Sequence, residues 1–129
     1  MLRTKETLPI GFVIGYRFPS MGSESHDILV VMVTAPNPEE AARIADHAVR
    51  SRHAACATTI PTARSTYWWE GQVVNEQETV LLMKTTADRF SLLQDTIRKV
   101  HSYKVPEIIA LPVNAGLPQY LEWVRREAS

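Results

Sequence analysis

The sequence predicts an α+β fold with the element order β-α-β-β-α-β, a long hairpin between the second and third strands, and one further helix at the C-terminus. Three observations predict it. A β-branched apolar run, Ile28–Ala35 (ILVVMVTA), leads directly into a helix start. Two helical apolar stripes are separated by a stretch of strand-like sequence that turns back at Glu70-Gly71-Gln72. A second short apolar run, Ile108–Val113 (IIALPV), follows the second stripe.

Each element has its own local reason. Ile28–Ala35 carries no alternation and suits a central strand buried on both faces. In Pro36-Asn37-Pro38-Glu39-Glu40, Asn37 fits an N-cap and Pro38 the first helical position. Glu39 and Glu40 place acidic charge in the first turn. Ala41, Ile44, Ala45, Ala48 and Val49 follow at helical spacing, with Arg43, Asp46 and Arg50 on the other side, so the spacing predicts a helix over Pro38–Arg52.

Ala54–Ile60 (AACATTI) reads as a strand. Pro61 lacks an N–H to give a ladder, which predicts an edge, a bend or a bulge there. Thr62–Trp69 resumes strand character. The return strand carries Val73 and Val74, an acidic stretch, and then Thr79–Met83, with Lys84 and Thr85 at its end. A hairpin of that length outreaches the sheet it belongs to. Thr85 or Thr86 is expected to cap the second helix, whose stripe is Phe90, Leu93, Ile97 and Val100 and whose end carries Arg98 and Lys99. His101–Glu107 is a loop containing Pro106. After Ile108–Val113, Asn114–Gly116 turns the chain and Pro118 opens a last helix anchored by Leu121 and Val124. The order is the ferredoxin-like split βαβ arrangement.

The 129 residues suffice for one domain with a core. Basic and acidic residues balance at 14 each, which removes the electrostatic footprint of a nucleic-acid binder. The single cysteine, Cys56, allows no intrachain disulfide. No apolar run approaches a membrane span. Leu8–Gly15 is short and broken by Pro9, Gly11 and Gly15, and no clear cleavage site follows, so a signal peptide is not expected. Met21–Asp27 (MGSESHD) is polar and small. Residues 1–27 are therefore expected to be a poorly ordered extension on a domain of residues 28–129, with Met21 an alternative start. A chain beginning at Met21 is expected to melt at the full-length temperature. A drop of many degrees in a thermal scan would show instead that Phe12–Ile14 pack on the domain.

Four stretches carry a family likeness: Ala54-Ala55-Cys56, Arg64–Gly71 (RSTYWWEG), Leu82–Thr85 (LMKT), and Val105–Pro112 (VPEIIALP) with His101 and Tyr103 just before it. In order and spacing, Ile28 to Glu127 resembles the CutA family, the divalent-cation tolerance proteins. The resemblance implies a ferredoxin-like subunit in a tight homotrimer, similar in architecture to PII signalling proteins. It also implies a cytoplasmic or organellar protein linked to tolerance of copper and other divalent metals; some eukaryotic members are linked instead to acetylcholinesterase anchoring. It carries no catalytic reaction. Two positions depart from the family pattern. His101-Ser102-Tyr103-Lys104 stands where His-Pro-Tyr-Glu is common, so Lys104 brings a cation where a carboxylate is usual. Thr62-Ala63 follows Pro61 where a glycine is usual.

The candidate residues each have two readings. Cys56 is the one thiolate available to a soft metal, or a small apolar side chain in a strand. His101 is a metal-binding imidazole or the end of a helix. Glu107 binds metal or pairs with a lysine. Lys84, Glu70 and Tyr103 form a candidate ligand cleft, with Lys84 paired to Glu70 or Glu107, structurally or around a small anionic ligand. Tyr67, Trp68 and Trp69 are expected at the trimer interface, because adjacent tryptophans on a strand point to opposite faces. No CxxC, HExxH, phosphate loop or nucleophile–base pair is present. The combined expectation is a non-enzymatic, cytoplasmic, trimeric protein of divalent-metal (copper) tolerance. It requires no cofactor, holds copper or another divalent metal weakly through Cys56, His101 and Glu107, and has no nucleic-acid or membrane partner. The alternative is a PII-like small-ligand sensor or partner-binding module that uses clefts between subunits.

Overall fold

The computed structural model describes residues 27–129. The expectations about the N-terminal extension and Met21 lie outside them. The elements are β1 (Ile28–Ala35), α1 (Pro38–Arg50), β2 (Cys56–Trp69), β3 (Gln72–Thr86), α2 (Phe90–Val100), β4 (Ile108–Pro112) and α3 (Pro118–Glu127). The predicted order and the ferredoxin-like α+β class are both present. The four strands form one antiparallel sheet in the order β2-β3-β1-β4. Among the described residues no helix is long and apolar enough to cross a membrane.

α1 begins as its sequence dictates: the Asn37 side chain accepts the Glu40 N–H at 2.8 Å and Pro38 takes the first turn. It ends at Arg50, two residues short of the predicted Arg52. Arg52 has φ +62°, and both His53 and Ala54 donate their N–H groups back to the Ala48 carbonyl. The expected threonine cap of α2 is absent. β3 runs on through Thr86, and a single 3₁₀ turn, Ala87–Arg89, precedes α2 with no side-chain cap. Thr85 instead donates its hydroxyl to the His53 carbonyl at 2.6 Å, joining β3 to the segment before β2. β2 opens at Cys56 rather than Ala54, and β4 closes at Pro112 rather than Val113.

Pro61 sits in an edge strand at a bulge, both of which its missing N–H allows. Ile60 pairs with Val80, the next pair is Ala63 with Glu78, and the Thr79 hydroxyl donates to the Pro61 carbonyl at 3.0 Å. Beyond the bulge β2 and β3 continue as a two-stranded ribbon, because β1 ends at the Ala35–Thr79 pair. The ribbon turns at Glu70 (φ +49°) and Gly71 (φ +78°) between the paired Trp69 and Gln72, the tight turn that strand twist favours.

One face of the sheet carries the core. Leu29, Val31, Val33 and Ala35 of β1, with Leu81 and Met83 of β3, pack under Ala41, Ile44 and Ala48 of α1 and Phe90, Leu93 and Ile97 of α2. On the opposite face α3 covers only one end, where Leu121 and Val124 meet Ile28 and Ala55. β1 is therefore not buried on both faces within one chain: Val30 and Met32 are only half-buried.

Candidate functional site

The uncovered face follows from strand register. Residues paired across antiparallel strands share a face. Cys56 lies beside Lys84, Lys84 beside Val30 and Val30 beside Leu111. The next row on this face is Thr58, Leu82, Met32 and Ile109, and the third is Ile60, Val80 and Thr34. Ile109 and Leu111 are each 49% exposed, and Ile60 is exposed as well. Among the described residues these strands present an apolar surface with no helix over most of it. Sequence reading missed this surface. Its signal lay in the two-residue spacing of Val80 with Leu82 and of Ile109 with Leu111, which the fully apolar runs around them obscured.

The ribbon extends both faces of the sheet. Tyr67 and Trp69 are half-buried and share a face with Val74 and Glu76; the Tyr67 hydroxyl donates to Glu76 Oε2 at 2.8 Å. Trp68 points the other way with Val73, and the two are 74% and 53% exposed. The adjacent tryptophans therefore do divide between faces, and one is left largely in water.

The residues expected to hold a metal are dispersed. Cys56 opens β2, its Sγ 3.6 Å from the Tyr120 hydroxyl of α3. His101 follows α2 and is buried. Its Nε2–H donates to the Thr34 carbonyl at 2.7 Å, and Nδ1 accepts the Tyr103 N–H at 3.0 Å. Both ring nitrogens are used, so no imidazole lone pair faces a metal. Thr34 lies four residues along β1 from Val30, the neighbour of Lys84 and Cys56, a separation of about 13 Å. Beside His101, the buried Glu40 carboxylate accepts the Ser102 N–H and hydroxyl, each at 3.0 Å. Among the described residues no three His, Cys, Asp or Glu side chains gather closely enough to hold a metal.

Glu107 precedes β4 and is half-buried. Burial raises the pKa of its carboxyl above the ordinary value, and the nearby Glu78 charge adds to the rise. Glu78 in turn accepts the Tyr103 hydroxyl at 2.9 Å. The proposed cleft partners do not meet Lys84. Its ammonium donates to Thr58 Oγ1 at 3.2 Å and forms no ion pair among the described residues. Glu70 sits at the hairpin turn, about 40 Å farther along β3 at strand spacing.

The Cys56–Tyr120 contact has a measurable consequence. The hydrogen bond to Cys56, then partial desolvation, then the charge of the Cys56 sulfur push the Tyr120 phenol up from 10.0 to about 12. A raised pKa favours the protonated phenol in the folded chain. Its stabilising effect is present below the ordinary tyrosine range and fades as pH rises through about 12. Ultraviolet titration of phenolate formation is expected to show the Tyr120 phenol ionising at lower pH in Cys56→Ala than in the wild type. Identical titrations would contradict the contact.

The sequence profile described as CutA1 divalent ion tolerance protein matches residues 29–127. The "Divalent-cation tolerance protein CutA" of Thermus thermophilus is 45% identical over 96 residues, covering 74% of this chain and 93% of that one. The rice "Protein CutA 1, chloroplastic" is 40% identical over 97 residues; the match takes in 75% of this chain and 55% of the rice protein, so the chain spans about half its length. Among solved structures, the Thermus thermophilus Cut A1 protein superposes with TM-score 0.76 at 43% identity, over 78% of this chain and 97% of that one. CutA from Xylella fastidiosa superposes with TM-score 0.78 at 38% identity, over 80% and 99%.

Proposed function

Taking as premise that this chain belongs to the CutA1 divalent ion tolerance family, we propose that it acts in tolerance of divalent metals, copper among them, as a non-enzymatic homotrimer in the cytoplasm. The observation that carries the reading is the family match across residues 29–127, nearly the whole described chain. The trimer is supported by the uncovered apolar face and the exposed ribbon, which a second and third copy would cover. The dispersal of Cys56 and Glu107 among the described residues, with both nitrogens of His101 engaged, supports weak metal binding.

A second reading is a small-ligand or partner-binding module of PII type. Lys84 favours it, since among the described residues its ammonium has a threonine hydroxyl and no carboxylate for company on the open face and would suit an anionic ligand between copies. Equilibrium binding of Cu(I), Cu(II) and Zn(II) against a panel of nucleotides and metabolites separates the two. Saturable metal binding with no metabolite binding is expected. Micromolar binding of a metabolite with no metal binding would move the function to the second reading. The chelated protein is expected to keep its fold and its melting temperature, because the core under α1 and α2 is packed from apolar side chains and contains no carboxylate, imidazole or thiolate. Unfolding by chelator would contradict the weak-binding reading.

A further inference from the structure

Glu78 is the least exposed carboxylate of the described residues, at 2%. Its Oε2 accepts the Tyr103 hydroxyl at 2.9 Å, and its Oε1 is buried with no partner. A desolvated carboxylate oxygen without a donor or a cation is costly. A second carboxylate converges on it. Ile108 pairs with Val33, so Glu107 comes opposite Thr34, and strand alternation puts its side chain on the open face with Ile109 and Leu111. Val80 meets Thr34 from the other side, and Glu78 is the next residue of β3 on that face. The two carboxylates thus approach from β3 and β4 around the end of β1. Their mutual repulsion is felt at Glu107, where it adds to the effect of burial.

Like charges that converge in a desolvated place, with an oxygen lone pair to spare, attract a cation. The donors are all oxygens: two carboxylates and a phenol. Thiolate and imidazole are missing from the set, since Cys56 lies two rows of the sheet from Glu107 and three from Glu78, and both His101 nitrogens are taken. Oxygen ligands suit manganese, magnesium and calcium, and thiolates suit copper(I). We propose that Glu78 and Glu107, with the Tyr103 phenol oxygen, form a binding site for an oxygen-preferring divalent cation. The proposal rests on the divalent-metal reading above and gives it a ligand class other than copper. Glu107 is half-buried in the single chain, and the small donor set leaves room for bound water on the ion.

The test uses manganese(II) alone with the full chain, read by loss of the free-ion electron paramagnetic resonance signal. The expected result is saturable uptake of one ion per chain in the weak range of about 10⁻⁴–10⁻³ M, displaced by excess magnesium or calcium. Glu78→Gln and Glu107→Gln are each expected to weaken it by about tenfold or more, and Glu39→Gln, at an exposed carboxylate of α1, to leave it unchanged. Glu107 is half-buried, so Glu107→Gln carries the test even where Glu78→Gln fails to fold; circular dichroism checks this. Absent uptake, or uptake unchanged in Glu107→Gln, overturns the proposal. Binding of copper(II) or zinc(II) without manganese(II) also overturns it while leaving the divalent-metal reading standing.

Discussion

The double substitution Leu82→Asp, Ile109→Asp is expected to abolish self-assembly and leave a folded monomer. Leu82 and Ile109 flank Met32 in one row of the open face, on the side of the sheet away from α1 and α2. In a single chain Leu82 is half-buried and Ile109 is 49% exposed, so aspartate there still reaches water and the core is untouched. Between copies the same carboxylates would be taken out of water without partners, at several kcal/mol per ion. Each copy would bring two of them, far more than an interface could offset. The matched control is Leu92→Asp, an exposed leucine of α2 on the opposite side, which is expected to stay assembled. A double variant that remains associated, with unchanged helical content, would show that the open face is not the contact.

The ribbon makes a second contribution of the same kind. A two-stranded ribbon is marginal alone in water, yet this one carries Trp68 at 74% exposure. Burying a tryptophan removes roughly 150–250 Å² from water. That is worth about 4–6 kcal/mol at most, by area. Trp69, already half-buried in its own chain, contributes less of this on assembly than Trp68. Trp68→Ala, Trp69→Ala is expected to weaken association, as read by the dilution at which the assembly separates.

His101→Ala is expected to destabilise the chain by about 3 kcal/mol or more while leaving metal affinity unchanged. The imidazole is buried and bridges two backbone groups, the Thr34 carbonyl of β1 and the Tyr103 N–H of its own loop. Its removal takes a hydrogen bond from each, at about 1–3 kcal/mol each, and opens a cavity as well. Urea unfolding measures the loss. A loss under about 1 kcal/mol, or a copper affinity that falls with the side chain, would return His101 to the role of a ligand.

The elements and their order were legible because their signals are local. Asn37-Pro38-Glu39-Glu40 marks a helix start wherever it occurs, and Pro61 marks an irregular edge. Register is not local. Which of Ile108 to Leu111 face helices and which face away depends on the pairing of Ile108 with Val33, and a shift of one residue would exchange the faces. The missed caps share this cause: Thr85 found a carbonyl 32 residues away in sequence, and no short-range pattern encodes that. The candidate site was legible as residues and not as partners. His101 and Glu107 were named, but the second nitrogen of the imidazole is taken by a loop amide. The carboxylate that confronts Glu107 is Glu78, unremarkable within an acidic stretch until Tyr103 reaches it.

The central proposal is that three copies of this chain assemble, each covering the open face and the ribbon of its neighbours. Sedimentation equilibrium of the wild-type protein across micromolar concentrations tests it most directly. The account predicts a single species with the mass of three chains throughout that range, with or without added metal. A stable species with the mass of one chain would contradict it.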